Sequence, residues 1–212
     1  MNLPASTTAI GVPPYGGWRR HFARPSGVLG HLAGHLMALR NKERSWWVLP
    51  MLEIHDSDRV LEVGFGPGVD IRRVSEIAVH GKVTGIDHSE AMVEQARARN
   101  KRAIQAGRVE LQLGPAAELP FADASFDKAF SINVAQFWPD PVVAMREIHR
   151  VLRAGGRVAI AVQPRSKGAN ERTAREMGKV LTESLKSAGF TQVRLESKKI
   201  KPVSVVCAIG VK

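Results

Sequence analysis

One cysteine, Cys207, and one tyrosine, Tyr15, stand in 212 residues, and aromatic side chains make up 6% of the chain. A lone cysteine has no internal disulfide partner and cannot build a Cys-based zinc site. No run of eighteen or more uncharged apolar residues occurs, so no membrane-spanning helix is expected. The opening Met-Asn-Leu-Pro-Ala-Ser lacks a basic start followed by an apolar stretch. No secretory signal is therefore expected, and the simplest compartment is the cytoplasm. What is present is ordinary globular composition, with 44% hydrophobic and 24% charged residues. The length suits one well-packed domain and is too short for two comfortable ones.

The net charge of +11 is unevenly spread. Residues 1–50 carry six Lys/Arg against one acid, residues 51–150 twelve against fifteen, and residues 151–212 thirteen against four. Basic ends thus flank a mildly acidic middle, a field that attracts anionic partners or serves solubility alone. An anionic membrane surface is one such partner. Nucleic acid is disfavoured, because no basic run is interleaved with aromatics and no RNA-binding module is appended.

Residues 1–17 are rich in Pro, Gly, Ser and Thr without periodicity and read as a mobile arm. Val28, Leu29, Leu32, Leu36 and Leu39 recur at helical spacing, and a second helical stretch spans about residues 42–53, kinked or shortened by Pro50. After it, strands and helices alternate. Strands are expected at residues 59–64, 82–87, 108–114, 126–133 and 157–163, then at 192–199 and 203–211. Helices are expected at 69–79, 89–99, 141–152 and 171–188. Such alternation gives a parallel sheet covered on both faces, and the short closing connection makes the last pair antiparallel. The chain divides into two units: an N-terminal arm and helical lid over residues 1–56, and an α/β domain over residues 57–212.

The most informative stretch is Glu62-Val-Gly64-Phe65-Gly66-Pro-Gly68. It leaves an apolar strand and enters a helix, where a glycine loop lets a cofactor approach the backbone. Asp87 ends the next strand, placed for a ribose diol. A nicotinamide dinucleotide and S-adenosylmethionine both suit that layout. The pyrophosphate of the former would be opposed by Glu62, whereas the ammonium and sulfonium of the latter are favoured by it. Gly68 also comes one residue early for the dinucleotide fingerprint.

These residues resemble motif I of the class I S-adenosylmethionine-dependent methyltransferases. Gly85-Ile-Asp87, Leu119-Pro-Phe-Ala-Asp-Ala-Ser-Phe-Asp127 and Leu152-Arg-Ala-Gly-Gly-Arg157 continue the resemblance, toward the branch that holds the ubiquinone/menaquinone-biosynthesis enzymes. The resemblance covers about residues 57–212. It implies a Rossmann-like α/β fold with a seven-stranded, mostly parallel sheet of order 3-2-1-4-5-7-6, strand 7 antiparallel, preceded by the N-terminal helical extension. It implies S-adenosylmethionine as cofactor and S-adenosylhomocysteine as product. The cofactor-binding positions are then Glu62, Gly64, Phe65, Gly66, Gly68, Asp87, His88, Met92 and Asn133, with Ala116 and Ala117 on the adenine side. Relatives often place an acid after the glycine of Leu113-Gly114. Pro115 stands there instead, which leaves adenine to backbone at Ala116 and Ala117, with Glu118 as a substitute.

Methyl transfer from a sulfonium is an in-line displacement, so the enzyme chiefly aligns its reactants, and a base is needed only where the acceptor must lose a proton. Candidates for such a base or for catalytic contact are Tyr15, His21, Asn133 and Gln136. Trp18, His21, Gln136 and Trp138 are candidates for the substrate pocket, while core packing is expected of Trp46 and Trp47. Asn133-Val-Ala-Gln136 does not match the Asn/Asp-Pro-Pro-Tyr-like run of enzymes that methylate nucleobase or glutamine amino groups. His31 and His35 lie four apart without a third ligand, so no metal site is expected. The reading is a methyltransferase for a small, partly apolar acceptor. The alternatives are a phospholipid methyltransferase, with Trp18–Arg44 on anionic lipid through Arg19, Arg20, Arg24, Arg40 and Arg44, or a nucleic-acid-binding protein on the same fold.

Overall fold

The computed structural model describes residues 43–212. Seven strands form one sheet: β1 (Arg59–Val63), β2 (Lys82–Asp87), β3 (Val109–Leu113), β4 (Phe126–Ile132), β5 (Leu152–Val162), β6 (Thr191–Lys198) and β7 (Val205–Val211). Their order is β3-β2-β1-β4-β5-β7-β6. β1 through β5 run parallel, while β7 pairs antiparallel with both β5 and β6. Central strands β1, β4 and β7 are buried on both faces, as a doubly covered sheet requires, whereas edge strand β6 is almost wholly exposed and carries Arg194 and Lys198.

Among the described residues, helices α1 (Val69–Ile77), α2 (Glu90–Gln105), α3 (Pro141–Val151) and α4 (Glu171–Ser187) pack on the sheet. Their limits follow capping chemistry. Asp140 accepts from the Val142 and Val143 amides ahead of α3, whose first position is Pro141. Asn170 and Thr173 form a reciprocal capping box at the start of α4, and Gly189 in the left-handed region follows its end. The apolar side chains divide into two layers. One holds Leu61, Ala129, Ile148, Ile160 and Leu185, and the other Val60, Ile71, Ala96, Phe130 and Ile209.

Residues 43–48 are helical, and Pro50 tightens the next turn, Leu49–Leu52, into a 3-10 helix. Val48, Leu49 and Leu52 are buried in the second layer with Val60 and Phe65. Arg157 fastens the turn by donating to the Met51 carbonyl at 3.1 Å and pairing with Glu53 at 2.5 Å. One side of residues 43–48 faces the interior. Arg44, Ser45 and Val48 take it, Trp47 is half-buried, and Trp46 is 63% exposed with the Arg73 guanidinium 5.2 Å from its ring. Core packing, expected of both tryptophans, holds in part for Trp47 and not for Trp46. β5 also begins earlier than the expected Arg157, because Leu152 pairs with Phe126 and the chain continues through Gly155 and Gly156 into the main ladder.

Candidate functional site

The parallel strands β1, β2, β4 and β5 end at one edge of the sheet, where the chain order reverses between β1 and β4. The turn after β1 carries three glycines with positive φ, and each permits something different. At Gly64 a Cβ would stand 2.5 Å from the Val134 methyls, and at Gly68 it would stand 2.6 Å from the Ala96 Cβ on α2. Those two let neighbouring elements close in. A Cβ at Gly66 would meet nothing within 4 Å, so that position opens the backbone to a ligand. The Phe65 side chain is buried with Ile71 against Gly85, leaving its backbone in the turn.

Glu62 lies beneath this turn, 3% exposed. The Ile71 amide donates to its carboxylate, yet Oε2 has no partner among the described residues. Burial first, and then the charges of Asp70 and Asp87, push the Glu62 carboxyl well above the usual range. An unsatisfied, buried carboxylate oxygen is costly, and a cationic donor relieves it. Asp87, at the end of β2, is buried too. It accepts from the Gly66 amide at 2.8 Å and the Ser89 amide at 3.0 Å. Burial raises its carboxyl, and those two amides, together with His88, oppose the rise. Asp87 thus holds the glycine turn in shape from the end of β2.

Next to Asp87, His88 is partly exposed with Nδ1 3.7 Å from Asp87, and Met92 is buried in the first turn of α2. Beyond β3, the Gly114 amide donates to the Asp87 carbonyl at 2.9 Å. Pro115, Ala117 and Glu118 are exposed there, while Ala116 is half-buried against the core.

At the end of β4, Asn133 takes the left-handed conformation with φ 61°. Its Oδ1 accepts the Gln163 amide at 2.8 Å and pins β4 to β5. That bond engages the oxygen structurally. Gln136 donates to the Asn133 carbonyl at 3.4 Å, and its own Oε1 is buried without a partner among the described residues. Phe137 and Trp138 are half-buried, Trp138 against the core layer of α3 and α4. Tyr15, Trp18, His21, His31 and His35 lie outside the described residues. Cys207 is buried, and burial raises its thiol.

Four residues carry contacts that the sequence reading did not assign. Ser45 Oγ donates to Asp70 at 2.6 Å, and Arg44 Nε donates to Gln163 Oε1 at 2.7 Å. Arg44, expected among the membrane-facing cations, is 2% exposed and turned into the protein, so it offers nothing to a lipid surface. No signal in the local sequence marks these pairs, since Arg44 and Gln163 stand 119 residues apart.

A methyltransferase-domain family model matches residues 61–160. The uncharacterised methyltransferase YdaC of Bacillus subtilis is 33% identical over 181 residues, covering 85% of this chain and 98% of YdaC. The ubiquinone/menaquinone biosynthesis C-methyltransferase UbiE of Geobacter sp. is 31% identical over 121 residues, 56% of this chain, and about half (52%) of that protein's length is spanned. Among solved structures, a SAM-dependent methyltransferase from Aquifex aeolicus superposes with TM-score 0.63 at 22% identity, over 78% of this chain and 88% of that one. The cleft fits such a cofactor on its own terms, since the lone Glu62 oxygen suits an ammonium and the open face of Gly66 suits close approach. The chain belongs to the class I methyltransferase family, as an enzyme whose cofactor is S-adenosylmethionine.

Proposed function

We propose that the protein transfers the methyl group of S-adenosylmethionine to a small, partly apolar acceptor seated at the ends of β4 and β5. The observation that carries this reading is the unpartnered, buried Oε2 of Glu62 beside the open Gly66. Together they would hold the methionine portion, with Asp87 at the ribose and Ala116 and Met92 toward the adenine. The cofactor supplies an activated methyl on a cationic sulfur. The chain's own residues orient the reactants and exclude water, which accounts for most of the rate in an in-line transfer.

The acceptor side is supported by the half-buried Phe137 and Trp138 beside the amide of Gln136. Gln136 Oε1 would take a hydrogen bond from an acceptor N–H or O–H. The segments after β4 and β5, residues 133–140 and 163–170, are short. Cover for the acceptor therefore falls to the N-terminal extension, residues 1–56, whose root at residues 43–52 is packed into the core. The relative named for ubiquinone/menaquinone biosynthesis gives precedent for a small organic acceptor.

Incubation with methyl-labelled S-adenosylmethionine and extracts of small phenols, quinols and hydroxy acids tests the reading. Label is expected in the organic-extractable fraction. Label confined to acid-precipitable RNA or protein overturns the small-acceptor assignment, and label in phospholipid overturns it in favour of a membrane substrate.

A further inference from the structure

Two consecutive residues of the N-terminal root reach opposite halves of the cleft. Ser45 Oγ donates to Asp70 Oδ2 at 2.6 Å, in the first turn of α1, with the Arg73 guanidinium 3.3 Å from the other oxygen. Asp70 is the charge that, after burial itself, does most to raise the Glu62 carboxyl. Ser45 is thus one hydrogen bond from the cofactor half. Arg44 donates through Nε and Nη2 to Gln163 Oε1. The Gln163 side chain in turn donates through Nε2 to the carbonyls of Ile200 at 2.7 Å and Val203 at 2.5 Å, and the Gln163 backbone amide donates to Asn133 Oδ1 at 2.8 Å. Asn133 then carries Gln136 on its carbonyl. Arg44, Ser45 and Gln163 are all nearly inaccessible to solvent, so these bonds are shielded from competing water.

We propose that Arg44 and Ser45 are positioning residues that clasp the root of the N-terminal cover to both halves of the cleft. Through them, filling the cofactor half tightens the acceptor half at Gln163 and Asn133. The proposal rests on the reading of the Glu62 side as the cofactor half. A cation beside Glu62 favours its ionised form and changes the field at Asp70, the group that Ser45 holds. The shared backbone of residues 44 and 45 joins the Ser45–Asp70 hydrogen bond to the Arg44–Gln163 hydrogen bonds. A residue that only filled space would stabilise the fold without carrying an effect from one half to the other, and coupling requires a measured difference between two states.

Hydrogen exchange on the full chain, with and without saturating S-adenosylhomocysteine, reads this directly, and calorimetry fixes saturation. In the unaltered chain, S-adenosylhomocysteine is expected to slow exchange of the Gln163 amide about tenfold. In Ser45→Ala the ligand still saturates, more weakly, and the added protection at Gln163 falls below twofold while exchange there without ligand stays as before. Arg44→Met speeds exchange at Gln163 and at residues 133–137 in both states. Arg44→Lys, the milder change that keeps one donor, restores at least half of the protection. Equal ligand-induced protection at Gln163 in the unaltered chain and in Ser45→Ala overturns the coupling alone. An unaltered chain that binds no S-adenosylhomocysteine overturns the cofactor reading as well, so the two failures are distinguishable.

Discussion

Glu62 is held at a cost to the stability of the ligand-free protein. Its carboxyl is held above the ordinary range by burial and by the nearby Asp70 and Asp87, both raised by burial as well. The folded state therefore binds a proton more tightly than the unfolded chain does. Between the usual 4.5 and the raised folded value, the ligand-free protein gains stability as pH falls and loses it as pH rises. A cationic ligand does the reverse and favours the ionised form, so binding in that window should release a proton and weaken with acid. Glu62→Gln is expected to raise the melting temperature of the free protein. It should weaken S-adenosylhomocysteine by about 10–100-fold, the cost of a hydrogen bond to a charged group. Scanning calorimetry and titration in buffers of different ionisation enthalpy check both halves. A variant that loses stability and keeps its affinity would remove Glu62 from the ammonium site. The glycines sharpen the same distinction. Gly66→Ala places a methyl in open space at φ 51°, costing about 1 kcal/mol of backbone strain, and should abolish tight cofactor binding in a folded protein. Gly68→Ala drives a methyl to 2.6 Å from Ala96 and should lower stability by about 1–3 kcal/mol more. Urea titrations of the two variants beside their ligand affinities would reverse the assignment if Gly68→Ala lost only binding.

Among the elements, the turn Leu49–Leu52 behaves as core. Leu52→Ala should cost about 2–5 kcal/mol in urea unfolding, as for a sheet residue, because Leu52 is fully buried with Val60 and Phe65. A cost near zero would return this turn to a surface cover. The sequence told the elements well where their limits are chemical. β2 and the start of α3 fall where Asp87 and Pro141 place them, because strand apolarity and capping are local properties. It misplaced the start of β5 for a local reason as well. The strand was expected to start at Arg157, but Leu152 already pairs with Phe126, residues 153–156 bulge before Arg157 meets Lys128, and the Gly155 amide donates to the Lys212 carbonyl at 2.9 Å. The glycines there lie in a bulge within β5 instead of a loop that precedes it. The glycine turn was legible because Glu62 to Gly68 is contiguous. The contacts at the end of β4 were not. Asn133 meets Gln163, and Gln163 meets Arg44, only after β4, β5 and the N-terminal root are assembled, and nothing in the spacing of those residues announces it.

For the molecule as a whole, the acidic middle of an otherwise basic chain gains a location. Glu62, Asp70 and Asp87 gather in one buried cradle at the strand ends, where opposing a cation matters more than surface charge. The basic excess of residues 151–212 includes exposed cations such as Arg172, Lys198 and Lys201. Sheet order has its own consequence. β7, the last of the seven strands to leave the ribosome, is inserted between β5 and β6, made earlier. Until it emerges, Val158, Ile160 and Val162 of β5 wait beside an unfilled ladder, and Gln163 lacks the Val203 carbonyl that steadies it. A nonsense codon just after β6 would therefore not yield a slightly shortened enzyme. It would release a nascent chain with a sticky apolar strand edge and a loosened Gln163, fit for the cell's proteases and not for catalysis.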